Sequence, residues 1–401
     1  MTQSRIRRGA DGSLSRREFN RLVATGAAAA ALGCTGEGGS GDPSLGVPAV
    51  QGGSVDHWPG YRDAMVIDAL ASPGPFNVQD RIAKPLTVEM LDNVRASGIS
   101  AVNVTVSGGG EDDEALQSTL EHIAYFEREA DEHADLLVRI RSAADLDAAR
   151  ASGRLGLILG FQDTTALASD LSRIDRFHSD GVRIIQLTYN QENRVGFGCL
   201  HPNDTGLTDF GREVVGRMNQ LGILVDLSHC GDQTTMDAIQ LSTQPTSITH
   251  SGCRTVFDHP RSKDDDTLRA MADGGGVVGI YMMPFLNADG PAQADDFFRH
   301  VEHAIDVCGE DHVGVGSDNS ITPTLADEAY MTALFAFADE RARLGIGAPR
   351  EHEVLFVQGL NTPDRMLRIA EGLMQRGHSE ARAEKIIGGN FRKLFEEVWS
   401  V

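Results

Sequence analysis

The chain has 401 residues, 41% of them hydrophobic and 23% charged, with a formal charge of −22. That length exceeds the usual size of one domain but suits an α/β barrel with extra helices. So acidic a chain is a poor partner for nucleic acid or anionic lipid.

The N-terminus stands apart. Six arginines and two acidic residues precede or flank a small-residue apolar run that ends at Gly33-Cys34, the pattern of a signal peptide over residues 1–34. Ser15-Arg16-Arg17-Glu18-Phe19 is close to a twin-arginine export signal, which places the mature chain in the periplasm or cell envelope. Ala31-Leu32-Gly33-Cys34 is similar to a lipoprotein cleavage box, with Leu32 where a small residue is usual. A lipid anchor at Cys34 and an incidental cysteine both fit that pattern, and an acyl chain there would be the membrane contact. Residues 35–60 begin rich in Gly, Ser and Pro and read as a flexible linker, leaving 61–401 as the catalytic domain. The remaining cysteines, Cys199, Cys230, Cys253 and Cys308, have no CxxC spacing and suggest neither a zinc knuckle nor a disulfide framework.

Eight apolar runs follow, at 65–70, 100–106, 155–161, 182–188, 222–228, 246–249, 275–281 and 312–316, with helix-like segments between them. Helix starts are legible near Leu86-Thr87 and Ser142-Ala143, and Gly98, Gly153, Gly181 and Gly222 suit helix stops that feed the next strand. Alternating βα units counting to eight predict a (β/α)8 barrel rather than an open doubly wound sheet. No GxGxxG or P-loop follows the first strand, which argues against a nucleotide fold. Residues 327–401 add C-terminal helices, the last begun by Gly388-Gly389-Asn390-Phe391, with Phe391, Leu394 and Phe395 expected to pack on the barrel.

Chemistry in such barrels sits at the C-terminal strand ends, where this chain places Asp68, Gln162, Asp163, Tyr189, Asn190, His229, His250 and Asp318. His229 and His250 end consecutive strands, so the helix between them brings both imidazoles to one rim, a start to a metal site. A catalytic zinc takes three protein ligands and lowers the pKa of its bound water to about 7. Gln162, Asp163 and Asp318 compete for the third place, and Asp318 could instead accept the water's proton. Asp68 and Asp163 read equally well as caps. Arg254 and Arg261 follow the sixth strand, where a guanidinium could hold a substrate carboxylate, and His259-Pro260-Arg261 is the more distinctive context. Cys199 and His201 occupy a glycine-bounded loop, and their spacing alone does not make a metal site.

Val225-Asp226-Leu227-Ser228-His229, Thr249-His250-Ser251, His259-Pro260-Arg261, Gly314-Val315-Gly316-Ser317-Asp318 and Gly388-Gly389-Asn390-Phe391, in that order, resemble the membrane (renal) dipeptidase family of zinc metallopeptidases. Gly181-Val182-Arg183 leading into Leu187-Thr188-Tyr189-Asn190 adds to the likeness, which runs from about Asp68 to Phe395. It implies a barrel of the metal-dependent hydrolase type, His229 and His250 on one zinc, Arg261 on the substrate carboxylate, and Asp318 near the scissile bond; Asn190, at the end of the fourth strand, is a second candidate for binding substrate. It departs at the other metal. The family's first strand ends Asp-Gly-His-Asn-Asp, whereas Asp68 is followed by Ala69, Leu70, Ala71 and Ser72. Gln162 stands for a bridging glutamate, and Tyr189, able to donate to an oxyanion, stands for a histidine.

The expectation is an exported hydrolase of dipeptides or similar small amides that uses one Zn2+ rather than two, with homodimer assembly open. A catalytically degenerate barrel that binds a peptide-like ligand, and a hydrolase of N-acyl amino acids or lactones, are the alternatives.

Overall fold

The computed structural model describes residues 57–78 and 81–400, so the signal-peptide and lipid-anchor readings, and most of the linker, lie outside the described residues. The eight apolar runs become eight parallel strands: β1 (Ile67–Asp68), β2 (Ala101–Thr105), β3 (Leu155–Phe161), β4 (Val182–Gln186), β5 (Leu224–Asp226), β6 (Ser247–Cys253), β7 (Val277–Ile280) and β8 (Val313–Val315). Each pairs with the next in chain order. The ring closes where the Ala69 N–H donates to Val315 O at 2.9 Å and Ala71–Ser72 pairs with Asn319–Ser320. This is the (β/α)8 barrel the sequence predicts.

Strands covered on both faces need apolar side chains on both, which is why they appear as unbroken hydrophobic runs; every residue of β3 is buried. The helices between them are set by local chemistry. Ala143–Ser152, for example, starts on a reciprocal pair in which Ser142 Oγ accepts the Asp145 N–H while Asp145 accepts the Ser142 N–H, and it stops at Gly153 with φ of 68°.

Inside the barrel, Ile67, Ala101, Ile158, Ile184, Leu224 and Val277 form an apolar layer near the strand starts. Phe391, Leu394 and Phe395 of the last helix, Asn390–Val398, plug that end, as expected. The next layer toward the mouth is polar, with Asn103, Gln186, Asp226 and Thr249 all buried.

Not all of the C-terminal addition lies at the bottom. The helix Glu328–Arg343 turns Leu334 and Ala338 inward, with Phe337 and Arg341 on the same face by helical spacing. The loop after it crosses the mouth, where Ile346 O accepts from Asn190 Nδ2 at 3.0 Å and Pro349 O lies 3.0 Å from His259 Nε2. Ahead of residue 61, the Trp58 N–H donates to Glu371 at 3.1 Å.

Candidate active site

His229 lies three residues past the end of β5, while β6 runs through His250 to Cys253, continued by pairing with Ser262–Lys263. The two buried rings are 5.0 Å apart between centroids, tilted by 58°. Their tautomers follow from the groups beneath them. Asp226 accepts from the Ser228 hydroxyl at 2.5 Å and from the Thr249 hydroxyl at 2.7 Å, which spends both hydroxyl hydrogens. Thr249 Oγ1 therefore accepts from His250 Nδ1 at 2.9 Å. Asn190 is oriented by its bond to Ile346 O, so its Oδ1 accepts from His229 Nδ1 at 2.6 Å. Each imidazole thus presents an Nε2 lone pair. That of His229 is buried without a partner, and that of His250 faces the Gln162 amide nitrogen at 3.5 Å. Burial, with Arg261 adding repulsion, holds both rings neutral by lowering them well below the usual imidazole value.

Arg261 donates through Nη1 to Ser228 O at 2.6 Å, while its Nη2 is buried and unpartnered. Asp318 sits at a left-handed φ of 59°, with its backbone N–H on Leu70 O at 2.8 Å and its carbonyl on Asn77 Nδ2 at 2.9 Å. Burial pushes its carboxyl up to about 7, with Arg261 opposing and Asp68 adding to the rise. Tyr189 stacks on His229, with centroids 4.2 Å apart and planes at 22°. These five groups, His229, Arg261, Asp318, Tyr189 and Asn190, line one cleft. From the C-terminal segment Arg341 joins them, its guanidinium 5.6 Å from the Tyr189 ring centre and bound through two nitrogens to Glu351 at 2.7 and 2.9 Å.

Other candidates are spent elsewhere. Asp163 accepts the Thr165 N–H at 2.6 Å, the Tyr189 N–H at 3.0 Å and Asn193 Nδ2 at 3.1 Å, so it braces a loop and is not brought to the histidines. These bonds are those of its other reading, a cap. Asp68 is buried and paired with Arg365 at 2.9 Å, and its second oxygen takes the Ser317 N–H at 2.7 Å. Arg254 pairs with Asp232 at 2.8 Å near the surface. Asn77, Phe337, Arg341 and Glu351 are cleft residues that sequence reasoning missed.

The donor set decides which metal centre fits. Among the described residues no group of three or more His, Cys, Asp or Glu side chains is placed to hold an ion, so the family's two-ion centre does not fit. The side chains that could hold one ion are His229, whose Nε2 is unpartnered, and His250, their rings 5.0 Å apart between centroids, with the Gln162 amide, turned to present its oxygen, as a neutral third donor.

A family model described as membrane dipeptidase, peptidase family M19, matches residues 76–336. A protein of Schizosaccharomyces pombe described as an uncharacterized dipeptidase is 33% identical over 211 residues, 51% of this chain and 51% of that relative, so the likeness spans about half its length. The crystal structure of an amidohydrolase from Pseudomonas aeruginosa is 30% identical with a TM-score of 0.73, covering 85% of this chain and 98% of that one. The structure of dipeptidase AC, a metallopeptidase of family M19, is 21% identical with a TM-score of 0.68 over 84% of this chain and 99% of its own, a likeness of fold.

Proposed function

We propose, from the premise that this chain belongs to the membrane dipeptidase family of hydrolases, that it cleaves the amide bond of dipeptides or similar small amides with a free carboxylate. The observation that carries the reading is Arg261 Nη2. A buried guanidinium donor without a partner is costly, and a ligand carboxylate in the cleft would satisfy it by a charge-assisted hydrogen bond. Asn190 holds His229 in its tautomer. Asp318, with a carboxyl that titrates near 7 and faces the same cleft, accepts the proton of the attacking water. Tyr189 keeps its hydroxyl protonated, because burial raises it, and would donate to the developing oxyanion. His229, His250 and Gln162 would hold one zinc ion, which when bound supplies a water of lowered pKa and polarises the scissile carbonyl. The reading extends to an exported location through Arg16-Arg17.

Metal analysis of the purified chain, paired with a dipeptide panel, tests this. Turnover that disappears in His229→Ala is expected; no bound metal and no hydrolysis with added zinc would discard it.

A second reading rests on the replacement of charge at the rim: with Gln162 neutral and Asp68 sealed by Arg365, the barrel binds a peptide-like ligand without turning it over. Saturable dipeptide binding with product absent after prolonged incubation with zinc would favour it.

A further inference from the structure

We infer that the cleft selects ligands whose carboxylate-bearing residue carries a large apolar or aromatic side chain; this rests on the reading of Arg261 as the carboxylate anchor. The wall beside that anchor is aromatic and uncharged. Phe285 stacks on His259 with ring centroids 4.4 Å apart and planes at 8°. His259 is in turn tied to the anchor, its Nδ1 accepting the Arg261 N–H at 3.1 Å. Tyr281 links the same parts: its ring centre lies 5.9 Å from the Arg261 guanidinium and 5.9 Å from Phe285. Phe285 and Met283 line the cleft, and Phe337 and Leu355 complete its apolar surface from the C-terminal segment.

The α-carbon of a ligand is one bond from its carboxylate carbon, so a side chain on that residue starts within reach of Phe285 once the carboxylate is on Nη2. Acidic side chains find no free counter-charge there. Arg341 and Glu351 also border the cleft, but each is engaged by the other through two bonds. His259 is neutral, lowered to about 4, chiefly by burial. Arg261 is taken by the carboxylate. An acidic side chain would be desolvated without a partner, while a Phe or Leu side chain would gain the burial of its apolar area.

The test compares L-Ala-L-Phe, L-Ala-L-Leu, L-Ala-Gly and L-Ala-L-Asp with the full chain, reading both Kd by calorimetry and kcat/KM with added zinc. A ten- to hundredfold preference for Phe and Leu over Gly and Asp is expected, narrowing to a few-fold in Phe285→Ala. Phe337→Ala, on a half-buried position of an outer helix, gives the same readout if the first variant folds poorly. Equal affinities, or a preference for Gly or Asp, would overturn the inference. Selective binding without hydrolysis would uphold it while refuting the hydrolase reading, and unselective hydrolysis would do the reverse.

Discussion

Around β1 and β8 the mouth of the barrel is filled from within: Asp68 and Ser317 bond to Arg365, which also donates to Ser320 O at 2.7 Å and leaves its Nε unpartnered. Around β5 and β6 the same rim keeps its capacity open, with His229 Nε2 and Arg261 Nη2 buried and unpartnered. Both halves carry polar residues at strand ends, and position alone does not separate them. What does is whether an unused group belongs to a residue lining the cleft, as His229 and Arg261 do and Arg365 does not, since an unmade bond at a buried donor costs about 1–3 kcal/mol that a ligand there can recover.

The largest effect that would break this contrast is expected on the sealed side. Arg365→Met strands the Asp68 carboxylate and should lower unfolding stability by about 3–5 kcal/mol in urea titrations; a loss below about 1 kcal/mol would mean the pair is not structural. On the open side, Arg261→Met should weaken dipeptide binding by about a hundredfold, roughly 2.7 kcal/mol, in calorimetry. Its fold should survive, because the one protein acceptor lost is Ser228 O. An unchanged Kd would remove the anchor.

Asp318 sharpens the comparison through pH. Its folded value near 7 lies above the ordinary carboxylate value, so below about 7 it is protonated and cannot accept a proton. The pH profile of kcat/KM should therefore climb to a plateau above about 7. The linkage runs the other way for stability: between about 4 and 7 the native state keeps a proton the unfolded chain has released, so stability falls as pH rises. The slope approaches about 1.4 kcal/mol per pH unit at most, and Asp318→Asn should abolish that part of it. A wild-type and variant difference that is flat across this window would contradict the assignment. The smallest effect concerns the neutral donor. Gln162→Glu adds a carboxylate beside His250 and should tighten zinc about tenfold, some 1.4 kcal/mol, whereas Asp163→Asn should leave zinc affinity unchanged and cost about 1 kcal/mol of stability.

The strands and the histidines were legible because both are local signals. A strand buried on two faces is a run of apolar residues, and His229 and His250 each close such a run. Gln162 and Asp163 could not be separated that way, since neighbours at a strand end point to different sides: Gln162 reaches His250 while Asp163 turns to the loop at Tyr189 and Asn193. Arg341 and Glu351 were invisible for a different reason. They return to the mouth after the last strand, Arg341 on a helix whose inward face reads as ordinary packing and Glu351 on the loop after it, and the partner of Asp68 lies 297 residues away.

The central claim is that the open half of the rim holds one ion through His229 and His250. Zinc stoichiometry of the full chain after saturation and desalting, compared with His229→Ala, tests it most directly. One ion per chain in the wild type and none in the variant is the expected result. Two ions in the wild type, or one that survives the loss of His229, would contradict it.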